Sequence, residues 1–327
     1  MNSKSAIFSL LAALWVSLQF STAALGQQLP QVKVGRLVFP SMFTIITDVV
    51  TAQKLDRKNG FELVPVNHGT IAADYAAYTT GETDMGSGGF LVLQKMRAEK
   101  VPITAVFTVV PLTDMVVISA DPHVRSISDL KGKTLAADMG SSQYYVLSTY
   151  ARSIGIDLGK DISVTQANPA LAREELRAKR VDAAMTWEPT TTLALEDSKD
   201  YRVILREGEA WKRLAKHPGW ELLALMREQY VQKNPQMVPK VMKAFQEAAQ
   251  FIKSDPEAAD TIAAKNLKLP PGALRYAITS GRLQYVVEPA YQEKAALDEM
   301  FEIAVKTGYL PNTSTEGAVY SSSVESK

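Results

Sequence analysis

The sequence predicts a two-lobed α/β protein with a helical C-terminal third, and three observations predict this fold class. Residues 32–110 alternate strands with helices, which is typical of a parallel sheet covered by helices. Residues 115–205 repeat the alternation, so we expect a second lobe of the same kind. From residue 235 onward the pattern is helical, and several helices begin at or near a proline, which suits the first turn of a helix.

The composition fits a globular protein of roughly two domains and excludes several chemistries. The chain has 327 residues, of which 22% are charged, and its formal net charge is +1. This balance gives no global field that would attract nucleic acid, so we expect no nucleic-acid partner. The sequence has no cysteine, which excludes disulfides, thiolate metal sites and thiol nucleophiles. We expect no catalytic residue, no metal and no cofactor.

The first 26 residues have the pattern of a secretory signal peptide. Lys4 is the only charge, and the apolar run at residues 6–20 is too short to span a bilayer comfortably. Residues 24–26 (Ala-Leu-Gly) supply the small-x-small pattern that precedes a cleavage site. We therefore expect cleavage between Gly26 and Gln27, followed by export. A retained membrane anchor is the less favoured alternative, because no basic cluster flanks the run.

In the first lobe, turns of small or polar residues follow the predicted strands. We expect strands at residues 32–39, 61–66, 84–86 and 101–110, and helices at residues 43–55, 71–79 and 90–100. Residues 111–114 interrupt this alternation with a proline-led break. We therefore expect the chain to leave the first lobe at that point.

The second lobe repeats the order of elements found in the first. We expect strands at residues 115–119, 134–137, 162–165, 181–186 and 201–205, and helices at residues 144–155 and 170–179. Both lobes contain a helix, a short turn and a strand that carries an aspartate, Asp84 in the first and Asp182 in the second. This repetition indicates two similar lobes rather than a tandem array of short repeats.

Residues 129–144 combine a short helix, a strand, a turn and the start of another helix. Gly140 ends the strand, and Ser141 or Ser142 stands where the helix needs its N-cap. A helix that begins after such a turn presents several free backbone N–H groups, which favour anions and other hydrogen-bond acceptors. The simpler alternative is an ordinary turn with a serine cap.

A second break, at residues 217–219, precedes a return of the chain to the first lobe. The strand-like run at residues 220–226 is expected to recross, and helices are expected at residues 235–254, 256–265, 271–281 and 289–307. The predicted division is a signal peptide at residues 1–26, a first lobe at 27–112, a second lobe at 113–219, the return with the C-terminal helices at 220–310, and a disordered Ser/Thr-rich tail at 311–327.

Several segments together resemble a known family. They are VKVGRL, TGETDMGSGG, SISDLKGKTLAADMGSS and RVDAAMTWEP, accompanied by the signal peptide and the helical last third. On these segments the chain resembles the periplasmic solute-binding proteins of ABC importers, in the group that takes up sulfonates, taurine, nitrate and thiamine-pyrimidine precursors. The resemblance covers nearly the whole mature chain. It implies a periplasmic-binding-protein type II fold, a small-molecule ligand held between the lobes, a periplasmic location and ABC permease subunits as partners. We expect a monomer.

Candidate ligand-binding residues follow from the rule that open α/β sheets bind ligands beyond the carboxyl ends of their strands. They are Pro40, Ser41, His68, Thr70, Ser87, Gly88, Gly89, Gly140, Ser141, Ser142, Trp187 and Glu188. Gly88 and Gly89 permit close backbone approach, and Trp187 offers a flat apolar wall or fills the core. Arg36 is a weaker candidate, because the alternation of its strand would point the side chain away from the cleft.

Two of these candidates have an alternative role. His68 either donates a hydrogen bond to the ligand or caps its own turn. Glu188 either pairs with a cationic group of the ligand or faces solvent at the end of its strand. The candidate loops carry Ser, Thr, His and Trp with backbone donors, and they have no dense cluster of Arg or Lys. This set favours a small organic anion, sulfonate-like first, or a polar heterocycle.

The leading function is therefore a secreted solute-binding component of an ABC transporter, which captures its ligand by hinge closure. One alternative is an enzyme on the same scaffold, similar to a desulfinase or a pyrimidine synthase. Such relatives carry cysteines that this chain lacks, and neither a Gly-x-Ser-x-Gly elbow nor a His-Glu-x-x-His motif is present. Another alternative is a secreted sensor module that presents its ligand to a membrane receptor.

Overall fold

Two five-stranded sheets organise the chain in the computed structural model, which describes residues 29–112 and 115–321. The strands are β1 (Gln31–Leu37), β2 (Glu62–His68), β3 (Met85–Gly88), β4 (Ile103–Pro111), β5 (Val116–Ser119), β6 (Thr134–Ala137), β7 (Ser163–Gln166), β8 (Ala183–Thr186), β9 (Arg202–Arg206) and β10 (Trp220–Arg227). The first sheet has the order β2-β1-β3-β10-β4, and the second has the order β7-β6-β8-β5-β9. We call the parts built on these sheets the first and second lobes.

Helices fill the connections and form most of the last third. They are α1 (Met42–Ala52), α2 (Leu55–Lys58), α3 (Ile71–Thr80), α4 (Phe90–Ala98), α5 (Ser142–Ser153), α6 (Pro169–Arg177), α7 (Thr190–Asp197), α8 (Glu207–Trp211), α9 (Glu228–Lys233), α10 (Met237–Ser254), α11 (Pro256–Leu267), α12 (Ala273–Thr279) and α13 (Lys294–Lys306). Short 3₁₀ helices occupy Ile127–Leu130 and Ala290–Glu293. The predicted fold class, two α/β lobes with a helical C-terminal third, is confirmed.

The two sheets are built in the same way. β1 runs parallel to β2 and β3, whereas β10 is antiparallel to β3 and β4. In the second sheet β6 runs parallel to β7 and β8, whereas β5 is antiparallel to β8 and β9. In each lobe the antiparallel strand is the first one that follows a crossing from the other lobe. The parallel arrangement predicted for the first lobe therefore holds for β1 to β4, and β10 is inserted between β3 and β4.

The aspartates of the repeated pattern have equivalent structural roles. Asp84 Oδ2 accepts the N–H of Lys33 at 3.1 Å, and Asp182 Oδ2 accepts the N–H of Thr134 at 2.8 Å. Each carboxylate thus ties together two neighbouring parallel strands near their amino ends. These bonds lie at the opposite edge of the sheets from the carboxyl ends, where a ligand site is expected.

Aromatic side chains join the helical last third to the first sheet. Phe245 of α10 packs on Phe43 of α1 with ring centroids 5.7 Å apart, and on Phe107 of β4 at 5.3 Å. All three rings are buried, and they form part of one large apolar cluster, which fills the first lobe and extends into the second as far as Trp187. The second sheet has separate apolar clusters, one of which includes Val117 and the other Val116. Each sheet is therefore covered by apolar side chains, and the largest cluster also connects the two lobes.

The prediction of a disordered tail from residue 311 does not hold as far as residue 321. Ala318 is buried, and its carbonyl accepts the N–H of Ala105 at 2.8 Å. Tyr320 in turn donates its N–H to the Ala105 carbonyl at 2.9 Å. The segment therefore pairs with the outer edge of β4, which composition alone does not reveal. The expected signal peptide, and residues 113–114 and 322–327, lie outside the described residues.

Candidate ligand-binding cleft

A cavity of about 40 Å³ lies between the two lobes, and both of them line it. The first lobe contributes Gly35, Arg36, Leu37, Ser41, Met42, Phe43, Ile71, Asp74, Tyr75, Ser87 and Leu222, and the second lobe contributes Ser142, Gln143 and Trp187. This volume holds about three water molecules, so the space suits a compact chemical group. We call it the cleft cavity.

Two helices from different lobes begin at the cleft cavity. Ser41 caps α1 and accepts the N–H of Thr44 at 3.1 Å, and Ser141 caps α5 and accepts the N–H of Tyr144 at 3.2 Å. The first residues of both helices line the cavity. N–H groups in a first turn have no acceptor within their helix, and the helix dipole adds positive potential there. The cleft cavity is therefore suited to an anion or another strong acceptor.

Direct contacts hold the two lobes against each other beside the cavity. Gly89 of the first lobe donates its N–H to Ser142 Oγ at 2.6 Å. A Cβ on Gly89 would lie 2.7 Å from the Ser142 Cβ, so only glycine permits this approach. Trp187 of the second lobe donates Nε1–H to the carbonyl of Pro40 at 3.4 Å. These contacts belong to a conformation in which the lobes are close together.

Glycines also let α3 lie close to the ends of β1 and β3. A Cβ on Gly35 would lie 2.4 Å from Asp74 Oδ1, and one on Gly86 would lie 2.5 Å from the Tyr78 hydroxyl oxygen. Both contacts are well inside van der Waals distance, so these strands require glycine there. The glycines bring the side chains of α3, Asp74 included, to the wall of the cavity.

An arginine ion pair forms part of the cavity wall. Arg36 pairs with Asp48 of α1 and donates Nε–H to Asn67 Oδ1 at 2.7 Å. The sequence-based expectation that Arg36 points away from the cleft is therefore wrong. Arg36 is the penultimate residue of β1, and its long side chain extends past the end of the strand toward α1. Because Asp48 neutralises the guanidinium, Arg36 adds hydrogen-bonding capacity more than net charge.

A buried histidine–aspartate pair lies behind the same wall. His68 Nδ1 lies 2.8 Å from Asp74 Oδ1, and both residues are buried. Burial raises the pKa of Asp74 to about 6, while the hydrogen bond and the charge of His68 act in the opposite direction. Burial also raises the pKa of Tyr75, whose hydroxyl therefore stays neutral and able to donate. The charged groups at the wall thus occur in pairs.

The structure brings four of the predicted residues to the wall of the cleft cavity: Ser41, Ser87, Ser142 and Trp187. Three further candidates act next to it. Pro40 accepts from Trp187, Gly89 donates to Ser142, and Ser141 caps α5 while its hydroxyl donates to the Asp138 carbonyl at 2.7 Å.

The other predicted residues lie outside the cavity wall. His68 is paired with Asp74, and Thr70 caps α3 and is exposed. Gly88 packs near Leu225, where a Cβ would come within 2.9 Å, and Gly140 has ordinary space around it. Glu188 is buried, not solvent-facing, and its Oε2 accepts the N–H of Thr192 at 3.0 Å. A ligand-binding role for these five stays a prediction.

Sequence reasoning missed several wall residues, above all Asp74, Tyr75 and Gln143. The strand-end rule selects turns, whereas Asp74 and Tyr75 lie one turn inside α3. Gln143 directly follows Ser142, and its position in the first turn of α5 was a usable signal. The glycines at positions 35, 86 and 88 were a second usable signal, because glycine in a strand marks a place where a ligand or another part of the chain comes close to the backbone.

Two α/β lobes of equal topology with a cleft between them define the class of the chain: it has the periplasmic-binding-protein type II fold. Solved structures of this class are similar to it. The periplasmic aliphatic sulphonate binding protein SsuA from Escherichia coli matches with a TM-score of 0.71 at 21% identity, covering 89% of this chain and 92% of that one. The alkanesulfonate-binding protein SsuA from Xanthomonas axonopodis pv. citri, bound to MOPS, matches with a TM-score of 0.72 at 21% identity, covering 88% and 96%.

The chain belongs to the NMT1/THI5-like family, whose model matches residues 57–259. An E. coli (strain K12) protein with the provisional name aliphatic sulfonates-binding protein is 25% identical over 225 residues, covering 68% of this chain and 67% of that protein. A provisionally named binding protein of Brucella abortus (strain 2308) is 25% identical over 261 residues, covering 80% and 79%. Both relatives carry the names of binding proteins rather than of enzymes.

Two other kinds of feature are absent from the described residues. In residues 29–112 and 115–321, no helix has the length and apolar character of a membrane span. The same part of the chain has no group of three or more His, Cys, Asp or Glu side chains placed to hold a metal ion.

Proposed function

We propose that this chain is an exported solute-binding component of an ABC importer, and that it captures a small sulfonate-like organic anion in the cleft cavity. The observation that carries the proposal is the meeting of two helix N-termini, α1 from the first lobe and α5 from the second, at one small cavity. An anion placed there receives N–H groups from both lobes, so it favours the closed arrangement over the open one.

The neutral character of the wall supports a singly charged ligand. Arg36 and Asp74 each have an oppositely charged or hydrogen-bonded partner, Asp48 and His68 respectively. Backbone N–H groups and hydroxyls such as that of Ser142 then provide most of the attraction for an anion. A highly charged anion would need more unpaired cations than this wall supplies.

The apolar part of the wall supports an organic group attached to the anion. Met42, Phe43 and Ile71 of the first lobe and Trp187 of the second line the cavity. They offer dispersion contacts to a short aliphatic chain, whereas an inorganic anion would leave them without a partner. The small volume favours a short chain over a long one. The names of the sulfonate-binding relatives point in the same direction.

The transport role rests on the N-terminal sequence and on the relatives. The apolar run and the residues before Gln27 have the pattern of an export signal, and the similar E. coli structure is described as periplasmic. A periplasmic protein that releases a small solute to permease subunits fits this location. Mass spectrometry of the exported protein should find an N-terminus at Gln27, and recovery of the full-length chain from the cytoplasm would contradict export.

A thermal-shift screen of the mature chain tests the ligand class. We expect methanesulfonate and ethanesulfonate to raise the melting temperature more than acetate, nitrate or an aminopyrimidine. A ligand that binds only the folded state stabilises it by about 2.7 kcal/mol at a free concentration 100 times its Kd. A shift with the aminopyrimidine alone would favour a polar heterocycle instead, and no shift with any sulfonate would contradict the proposal.

A matched pair of serine variants on α5 locates the site. Ser142→Ala removes a hydroxyl from the cavity wall and should reduce the shift caused by ethanesulfonate. Ser153→Ala removes an exposed hydroxyl at the other end of the same helix, where it donates to the Tyr150 carbonyl at 2.6 Å. This control should keep the full shift. Equal shifts for both variants would place the ligand elsewhere.

A further inference from the structure

The two chain crossings between the lobes lie side by side. Leu112, at the first crossing, donates its N–H to the carbonyl of Gly219, at the second, at 2.9 Å. Glu207, the first residue of α8, donates its N–H to the carbonyl of Met115 at 2.9 Å. Rotation of the lobes must therefore change dihedral angles in the neighbourhood of these residues.

Two buried carboxyl groups occupy this hinge region. Glu207 and Glu221 are each 1% exposed. Among the residues that the structure describes, neither oxygen of the Glu207 side chain has a hydrogen-bond partner. Glu221 lies in β10 of the first lobe, and its Oε1 accepts Nε2–H of Gln143 from α5 of the second lobe. Because Gln143 lines the cleft cavity, Glu221 holds a wall residue in place across the two lobes.

The positively charged side chains around Glu207 and Glu221 do not neutralise these two carboxyl groups. In the described part of the chain, the cations on the surrounding helices α4 and α5 have other partners: Lys95 pairs with Glu99, Arg97 with Glu228 and Arg152 with Asp157. Arg227, at the end of β10, pairs with Asp84 at 3.0 Å.

The other titratable groups near Glu207 and Glu221 do not neutralise the two carboxyl groups either. Glu209, on α8 itself, and Lys233, on α9, are exposed, and Arg206 is partly exposed, with contacts of its own. Tyr285, from the segment before α13, is close enough that the charge of Glu221 contributes to raising the pKa of its hydroxyl, after burial. A buried carboxylate without a cation is strongly disfavoured, and a second one nearby adds repulsion.

We propose that Glu207 and Glu221 are a proton-binding pair that couples closure of the lobes to proton uptake, with Glu221 as the positioning residue for Gln143. The pair bridges the hinge, because Glu207 lies on the second-lobe side of the crossing and Glu221 on the first-lobe side. Opening of the cleft separates Gln143 from Glu221 and admits water. The carboxyl groups then ionise at a lower cost, and closure reverses this.

The direction of the pH dependence follows from the raised pKa values in the closed arrangement. Burial raises the pKa of Glu221 from its ordinary value of 4.5 to about 8, and burial followed by the charge of Glu221 raises the pKa of Glu207 well above its ordinary value. Hydration in the open form returns the pKa values of both glutamates toward their ordinary value. Closure therefore takes up protons between roughly pH 5 and 8 and becomes less favourable as the pH rises through this range. The Kd should rise by up to about tenfold per pH unit for each proton taken up.

Calorimetry with ethanesulfonate in two buffers of different ionisation enthalpy measures the protons taken up on binding. Between pH 7 and 8, above the pKa of about 6 for Asp74, we expect uptake by the native chain. Glu221→Gln and Glu207→Gln mimic the protonated groups and should each lower the uptake and flatten the rise in Kd. Glu209→Gln, an exposed carboxylate on the same short helix, should behave as the native chain does. Binding by the native chain without proton uptake would overturn the proposal.

A ligand-free measurement keeps this test separate from the proposed sulfonate specificity. Small-angle scattering should give a smaller radius of gyration at pH 5.5 than at pH 8.5 for the native chain. Glu207→Gln and Glu221→Gln should reduce this difference, and Glu209→Gln should retain it. If ethanesulfonate does not bind, the scattering measurement alone tests the proposal. A native radius of gyration that is the same at both pH values would overturn the proton coupling. The same pH-dependent change of radius in the native chain and in all three variants would also overturn it.

Discussion

At the scale of single residues, the contact between Gly89 and Ser142 makes closure sensitive to one methyl group. The Gly89 backbone is extended, with φ of −78° and ψ of 160°, a conformation that alanine adopts without strain. Its missing Cβ matters only because Ser142 and the Glu221 carbonyl oxygen are so close, the latter 3.0 Å from where a Cβ would stand. The part of the cost that comes from Ser142 of the second lobe should therefore fall on the closed form, whereas the contact with Glu221, which lies in the first lobe like Gly89, is present in both forms.

Gly89→Ala should weaken ligand binding by more than it lowers the free energy of unfolding of the ligand-free protein, because the tighter of its two contacts, with Ser142, crosses the lobes. Forcing one methyl group into a packed contact costs about 1–3 kcal/mol, and every 1.4 kcal/mol raises the Kd about tenfold. Gly69→Ala is the matched control, because nothing lies within 4 Å of a Cβ at that position. Calorimetry and denaturant unfolding check both quantities. A Kd equal to that of the control would show that this contact does not limit closure.

At the scale of elements, α3 packs against the ends of the central strands, and this packing positions part of the site. Gly86 of β3 permits the close approach of Tyr78, whose buried hydroxyl has no hydrogen-bond partner in the described part of the chain. The same helix carries Asp74 and Tyr75 to the cavity wall. Packing between one helix and one strand is thus coupled to the geometry of the cleft, since a shift of α3 would move both wall residues.

Gly86→Ala should destabilise the protein by about 1–3 kcal/mol, because its Cβ would stand 2.5 Å from the Tyr78 hydroxyl oxygen. Tyr78→Phe removes that oxygen, and its own cost should be small because the hydroxyl has no partner. In the double variant the clash is relieved, so the loss should be less than the sum of the two single losses. Chemical denaturation of the four proteins measures this coupling. Strictly additive losses would place the strain elsewhere.

Element types follow from local signals, and the sequence contained most of them. The Gly140 turn and the serine cap predicted for α5 are present, with Ser141 as the cap. The side-chain environment of the site depended instead on contacts between different secondary-structure elements. The pairing of Arg36 with Asp48, and of His68 with Asp74, joins different elements, and a strand pattern cannot show which partner a long side chain finds. This is why the strand-end rule selected some loops that border the cleft cavity but missed wall residues such as Asp74.

At the scale of the whole molecule, the repeated strand–helix pattern predicted two similar lobes, and the sheets have the same topology. The sequence did not show that the strands after each crossing, β5 and β10, insert antiparallel into their sheets, because strand order depends on partners far along the chain. The pairing of residues 318–320 with β4 was missed for the same reason. The boundaries of the lobes along the chain stay a prediction.

The contacts between the lobes predict a measurable closure on ligand binding. Near the C-terminal helices, Arg152 Nη1–H of α5 donates to the Gly308 carbonyl at 2.7 Å, and Tyr145 packs edge-on against Tyr309 with centroids 5.4 Å apart. These contacts, like that of Trp187 with Pro40, form only when the lobes are close, and an anion that binds N–H groups of both lobes favours that state.

Saturating ethanesulfonate at pH 6 should therefore reduce the radius of gyration measured by small-angle scattering. It should also change the tryptophan fluorescence, because closure alters the surroundings of Trp187. Trp187→Phe should lose most of this fluorescence change yet still become more compact, whereas Trp220→Phe, a variant near the second crossing, should keep most of it. A bound protein with an unchanged radius would indicate a rigid cleft, and the contacts across the lobes would then be permanent.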